Sequence, residues 1–244
     1  MNQPARNASV AVIGAGDHIG AAIARRFAAE GYVVHCGRRN GEKLAPLAGE
    51  IIAAGGRCVA HTLDARDETA VTAFMAAADA DAPLEAVIFN IGANVNFPLL
   101  DTTERVFRKV WELACYAGFL TGREAARHLL AHGRGSIFFT GATASLRGGK
   151  GYAAFAAAKF GLRALAQSMA RELGPLNIHV AHLVIDAGVD TEWVRGRMAE
   201  RGVAPEPDQL MNPGSIAEAY WYLHTQSRDA WTHELDLRPY RETW

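Results

Sequence analysis

The 244 residues predict an α/β protein: a doubly wound parallel sheet with helices on both faces. Three observations carry that expectation. Short apolar runs alternate with longer amphipathic stretches from one end of the chain to the other. The apolar runs are nearly continuous, as in strands buried on both faces, rather than alternating as in a half-solvated antiparallel sheet. No linker-like shift of composition and no internal repeat interrupts the series, so one domain over 1–244 is expected.

The elements follow in order. "SVAVI" at 9–13 is a strand ending at Gly14, and 19–30 is a helix with Ile23 and Phe27 on one face. Residues 32–36 make the second strand, 42–54 a helix and 57–63 the third strand. Next come a helix over 67–78, a strand over 85–91 and one long helix over 103–132. A strand at 136–140, a helix over 153–173 and a strand at 178–185 extend the series. A last strand is expected near 234–238. Parallel strands joined through helices need right-handed crossovers. The result is a Rossmann-like order, with ligands expected beyond the carboxyl ends of the strands.

Composition narrows the function classes. Half the residues are hydrophobic and 21% are charged, which is ample for a core, and the net charge of −1 offers no field for nucleic acid or an anionic membrane. No apolar run reaches about 18 residues, and no segment of signal-peptide length precedes the first glycine turn. A cytoplasmic location is therefore expected, with neither nucleic acid nor membrane as partner. Cys36, Cys58 and Cys115 are odd in number, lack metal-ligand spacing and read as reduced thiols. His128 and His132 stand i,i+4, but no glutamate follows the first and no third ligand is evident, so no metal site is expected. His179 and His182 alternate along a strand and are expected to pack at its edges.

The segment "VIGAGDHIGAAIARRF" puts Gly14, Gly16 and Gly20 between a strand and a helix that opens at Ile19. Glycines there permit a tight turn and let backbone N–H groups approach a pyrophosphate at the helix N-terminus. The second strand ends "VVHCGRRN", with Arg38 and Arg39 and no acid for a ribose 2′-hydroxyl. Guanidinium groups suit a 2′-phosphate, which favours NADP(H) over NAD(H). Asp64 in "HTLDARD" and Asn90 and Gly92 in "FNIGAN" follow the third and fourth strands, where adenine and ribose contacts belong.

With these motifs the chain resembles the short-chain dehydrogenase/reductase family over nearly its whole length. The resemblance rests on Gly14, Gly16, Gly20, Asp64, "FNIG" in place of Asn-Asn-Ala-Gly, and Lys159 on its helix. It rests also on Thr191, where the family uses a threonine near the carboxamide. It implies a nicotinamide cofactor on these residues together with Ile19, Arg38, Arg39, Asn90 and Gly92, and a small-molecule substrate. It also implies a homodimer or homotetramer, paired through the long helix bearing Trp111 and Phe119 and the Ala-rich helix after it.

The active-site pattern departs from that family. Its asparagine, serine, tyrosine and lysine fall on Cys115, Ala142, Phe155 and Lys159, so only the lysine remains. His18 stands at a usual glycine, and "VIDAGVDT" replaces the usual Pro-Gly segment. Phenylalanine cannot donate a proton, and positioned acid–base catalysis is worth about 10²–10⁴-fold. Tyr152 is the candidate replacement. It lies seven residues before Lys159, on nearly the same helical face and about 10 Å away along the axis. This Tyr-x₆-Lys spacing is similar to that of divergent bacterial enoyl-thioester reductases, although the glycine loop and "GRRN" are not. Thr143 or Ser145 offers a hydroxyl to position a substrate oxygen. Cys115, Ser145, Phe155, Asp186 and Trp193 are expected to line the substrate pocket, under a lid at 189–210 that also carries Met198.

Two readings follow. One is an atypical NADP(H)-dependent oxidoreductase that moves hydride to or from a small hydrophobic carbonyl, alcohol or conjugated C=C. The other is a catalytically impaired nucleotide-binding pseudoenzyme, acting as a sensor or an assembly subunit.

Overall fold

The computed structural model describes residues 4–242 and contains one seven-stranded, fully parallel sheet. Its strands are β1 (Ser9–Ile13), β2 (Val33–Arg38), β3 (Arg57–Thr62), β4 (Leu84–Phe89), β5 (Gly135–Thr140), β6 (Ile178–Ile185) and β7 (Glu234–Leu237), in spatial order 3-2-1-4-5-6-7. The order reverses beside β1, so a crevice opens between the carboxyl ends of β1 and β4. The helices are α1 (Ile19–Ala29), α2 (Ala45–Ala53), α3 (Glu68–Asp81), α4 (Glu104–Trp111), α5 (Ala117–His132), α6 (Ala153–Leu173), α7 (Glu192–Ala199) and α8 (Pro213–His224).

Two apolar cores lie on opposite faces of the sheet. On one, Ile23 and Phe27 of α1 and Ile216 and Tyr220 of α8 pack on Val10, Val12 and Val34. On the other, Phe74 and Met75 of α3, Leu120 of α5 and Leu162 of α6 pack on Ala11, Val87 and Phe139. Strands covered on both sides have no polar face to show, which is why β1 and β6 are buried along their whole length. β3 differs because it is an edge strand, and most of its residues are exposed or half-buried.

Three local expectations are corrected. The helix over 103–132 is not continuous, because a π turn at Glu112–Tyr116 separates α4 from α5. The stretch 42–54 opens with a tight turn at Gly41–Leu44, and α2 begins at Ala45, where Pro46 can occupy the first helical turn without losing a hydrogen bond. α8 was not anticipated, although Asn212 caps it by accepting the Gly214 N–H at 2.7 Å and Pro213 opens it.

α8 also closes a buried polar cluster. His224 meets the Ser136 hydroxyl at 3.1 Å and the Tyr32 hydroxyl at 3.0 Å, and Tyr32 in turn donates to Glu85 at 3.0 Å. Burial, with added repulsion from Arg6 and His179, pushes His224 down to about 4. A folded-state value below the unfolded one means that acid favours the unfolded chain. The stability contribution is therefore intact above pH ~6.5 and is lost as pH falls toward about 4. Melting temperature measured from pH 7.5 to 5 should fall, with a contribution from this site approaching ~1.4 kcal/mol per pH unit, and His224→Gln should reduce that slope while leaving the part due to His182, which burial also lowers to about 4. A wild-type melting temperature flat over this range would refute the assignment.

Candidate active site

The carboxyl ends of the strands open into one cavity of about 1090 Å³, at the upper end of the ~300–1000 Å³ usual for small-molecule sites. Its floor depends on two glycines. Gly14 has φ +81°, and a Cβ there would stand 2.8 Å from the Asn90 carbonyl oxygen. A Cβ on Gly20 would stand 2.5 Å from the Gly14 carbonyl oxygen. Only glycine lets the turn place the N-terminus of α1 so close to β1 and β4. At Gly16 and Gly92 a Cβ would meet nothing within 4 Å, so backbone faces the open space. His18 precedes α1 without capping it. Asn90 locks the floor: its amide donates to the Gly14 carbonyl at 3.1 Å and accepts from Thr140 at 3.0 Å. The Thr140 hydroxyl also meets Tyr220 of α8 at 2.6 Å.

This cradle fits a dinucleotide. It combines glycine backbone, an uncapped helix N-terminus for pyrophosphate, and cations at the far end. Those cations are Arg38, Arg39 and Lys43, all lining the cavity beyond β2. Arg38 is partly engaged, because it donates to Asp17 at 2.8 Å. Arg39 has no hydrogen-bond partner among the described residues. Asp64 and Ile19 line the same end, and Arg66 grips the Asp64 carboxylate at 2.6 and 3.0 Å and holds its pKa below the usual value. That carboxylate is already paired, which leaves the backbone around it to meet a ligand.

Lys159 occupies the middle. It is 2% exposed and donates to the Thr140 and Ile91 carbonyls at 2.7 and 3.1 Å. Burial lowers it to about 8. Phe155, one turn earlier, lays its ring centroid 5.9 Å from Nζ, so a ring without a hydroxyl stands beside the ammonium. Behind Lys159, Arg163 clamps Glu234 at 2.6 and 2.7 Å, and Glu234 meets His182 at 3.2 Å. His182 and His179 are buried within the sheet rather than packed at strand edges. His128 and His132 both meet Asp79, at 2.9 and 2.6 Å, and the described residues hold no group of three or more metal-ligating side chains.

The candidate hydroxyls separate. Tyr152 lines the cavity, half-buried, and its phenol has no hydrogen-bond partner among the described residues. It stands at the N-cap of α6 with φ −109° and ψ 20°, one residue before the helix that carries Lys159, and both residues line the same cavity. Thr143 lines the cavity too, on the side where Asp186 lies, and helps hold the Asp186 carboxyl below its ordinary pKa. Ser145 is fully buried and its oxygen accepts the Ala142 N–H at 3.1 Å, so it serves the loop and not the pocket. Asp186 is likewise buried off the cavity wall, held by Arg147 at 3.1 and 3.3 Å. Cys115 packs its sulfur against Gly161, and burial pushes its thiol up although Lys159 opposes this.

Thr191 lines the cavity and caps α7, accepting the Val194 N–H at 3.1 Å. Trp193, expected in the pocket, is instead 65% exposed on α7, with the Arg197 guanidinium over its ring. The ends of the segment over 189–210 meet in a bridge from Val189 to Met211. Phe155 alone of the expected substrate-pocket residues lines the cavity. Arg147 and Lys43 also line it and were not singled out, because an isolated cation in a loop carries no spacing signal.

The family model described as short chain dehydrogenase matches residues 8–201. A short-chain dehydrogenase from Rhodopseudomonas palustris superposes with a TM-score of 0.84 at 64% identity, covering 96% of this chain and 100% of that one. A metagenomic short-chain oxidoreductase solved in complex with NADP superposes with a TM-score of 0.79 at 26% identity, covering 96% and 98%. The 3-oxoacyl-[acyl-carrier-protein] reductase MabA of Mycobacterium tuberculosis is 31% identical over 187 residues, 77% of this chain and 71% of that protein. Against another curated relative the chain spans only 30% of the relative's length. Among the described residues no helix is long and apolar enough to cross a membrane.

Proposed function

Because this chain belongs to the short-chain dehydrogenase family, we propose that it is an NADP(H)-dependent oxidoreductase of rebuilt active site, acting on a small hydrophobic carbonyl, alcohol or activated C=C. The observation that carries the reading is the arrangement along one cavity. Open cations stand at one end, Lys159 is buried at the middle, and the unpartnered Tyr152 phenol lies beyond it. When bound, a nicotinamide supplies or accepts the hydride. The chain's own groups do the rest. Gly14, Gly16, Ile19, Gly20, Asn90 and Gly92 present backbone to the phosphates and riboses, and Thr191 stands at the carboxamide end. Lys159 holds the nicotinamide ribose, and Tyr152 exchanges the proton with the substrate. The NADP complex of one relative and the 3-oxoacyl-[acyl-carrier-protein] reductase name of another support the cofactor and the reaction class.

Two measurements test this. NADPH should bind more tightly than NADH, and changing Arg38 and Arg39 together to alanine should erase most of the difference, because charge-assisted bonds to the 2′-phosphate are lost. Equal binding by the wild type would refute the cofactor assignment. Ketones and enones screened with NADPH should cause absorbance loss. If none does while NADPH binds tightly, Phe155 marks a catalytic site given up and the pseudoenzyme reading stands in its place.

Assembly is proposed on separate grounds. Trp111, Tyr116 and Phe119 stack along α4 and α5, with Trp111 and Phe119 about two-fifths exposed, and Phe160 of α6 is as open. Such apolar surface suits a homodimer or homotetramer. Light scattering at micromolar concentration should report at least a dimer, and a monomer would overturn this.

A further inference from the structure

At the Tyr152 end of the cavity the charge pattern is different from that at the nucleotide end. The acids lining the cavity, Asp17 and Asp64, lie near the arginines of the first three strands, each paired with one. Among the described residues lining the cavity with Thr143, Gly148, Gly149 and Tyr152, Arg147 is a partly exposed cation, whereas Lys159 is buried. Its guanidinium meets the Asp186 carboxylate through both terminal nitrogens, at 3.1 and 3.3 Å. Asp186 is only 2% exposed at its side chain, whereas Arg147 is 46% exposed. The acid thus lies behind the arginine and the arginine fronts the opening.

Fixing an arginine through a buried acid costs desolvation that a surface loop does not need. Asp186 is held further by Arg238 at 3.5 Å, and Arg238 also pairs with Asp236. The four charges balance, but their arrangement does not. The Asp186 carboxylate faces inward, and Arg147 keeps three of its five N–H groups without a partner among the described residues. A guanidinium fork held at its back and open at its front matches a planar carboxylate, which it grips by two parallel bonds.

We propose that Arg147, anchored by Asp186, receives a carboxylate on the substrate, so that the protein acts on oxo or hydroxy acids, or conjugated acids, in preference to neutral analogues. Arg147 is then the specificity-determining residue. The inference rests on the reading of this cavity as a substrate site beside a nicotinamide.

The test pairs linear and aromatic oxo acids of three to ten carbons with their primary amides, starting with 4-oxopentanoate and 4-oxopentanamide. Affinity is measured by calorimetry with and without saturating NADP+, and turnover is measured separately with NADPH. At least one pair should show the acid binding tenfold or more tightly. Arg147→Gln should remove that preference, Arg147→Lys should retain part of it, and Asp186→Asn should weaken it. Equal binding across every pair in the wild type overturns the inference, as does a preference that survives Arg147→Gln. If Arg147→Gln fails to fold, the wild-type pairs and Arg147→Lys still decide the matter. Acid-selective binding with no turnover of any compound leaves the carboxylate site standing and removes the hydride-transfer reading. Turnover of neutral ketones with no acid preference does the reverse.

Discussion

Lys159→Met should weaken NADPH binding at least tenfold and abolish measurable turnover, while leaving the melting temperature within a few degrees of the wild type. The first two effects follow from the proposed place of the ammonium at the nicotinamide ribose, where each hydrogen bond to a charged donor is worth about 1.5–3 kcal/mol. The small effect on folding follows from the geometry. Nζ is buried among carbonyls with no carboxylate partner among the described residues, so the folded chain bears the desolvation of a cation. Methionine removes that cost but leaves the Thr140 and Ile91 carbonyls without their donor, a loss of about 1–3 kcal/mol, and the two effects offset. A scaffold lysine would give the opposite result, lost stability with intact binding. The pH profile adds a second readout. Burial holds Lys159 at about 8, so if the charged form binds cofactor, kcat/KM should fall as pH rises through that value. Lys159→Met, assayed by NADPH binding, should show no such limb. Unchanged NADPH affinity in Lys159→Met would remove the lysine from the site.

The sheet was legible because strands buried on both faces leave unbroken apolar runs, and the nucleotide cradle was legible because glycine is demanded where Gly14 and Gly20 lie. What escaped depends on contacts between distant segments. Nothing local marks Asp186 as an anchor for Arg147, since that role is set by a partner thirty-nine residues away in sequence. The π turn escaped for a similar reason: an apolar period read over 103–132 does not report one inserted residue. Trp193 was misplaced because a large aromatic in a lid reads as a pocket wall, whereas the fold leaves it 65% exposed on α7.

Tyr152→Phe should lower kcat by about 10²-fold or more and leave NADPH affinity within about twofold, since the loss falls on proton transfer and not on cofactor binding. The case rests on what the other groups are doing. Thr143 carries an aliphatic hydroxyl, a far weaker acid than a phenol, and Ser145 accepts the Ala142 N–H. Burial raises the Asp186 carboxyl, but Thr143, Arg147 and Arg238 together hold it below its ordinary value, so it is an anion at neutral pH with no proton to donate. Cys115 keeps its proton but does not line the cavity, and Phe155 has none to give. Tyr152 remains, a phenol in the cavity wall with no protein partner among the described residues. Two further variants sharpen the test. Thr143→Val should cost far less than Tyr152→Phe, because an aliphatic hydroxyl is a much weaker acid than a phenol. Phe155→Tyr should place a hydroxyl on the ring beside Lys159 and raise carbonyl reduction, since a neighbouring ammonium favours the phenolate. Full activity of Tyr152→Phe on a proven substrate would sink the assignment and leave water as the proton source, brought in through the open mouth of the cavity.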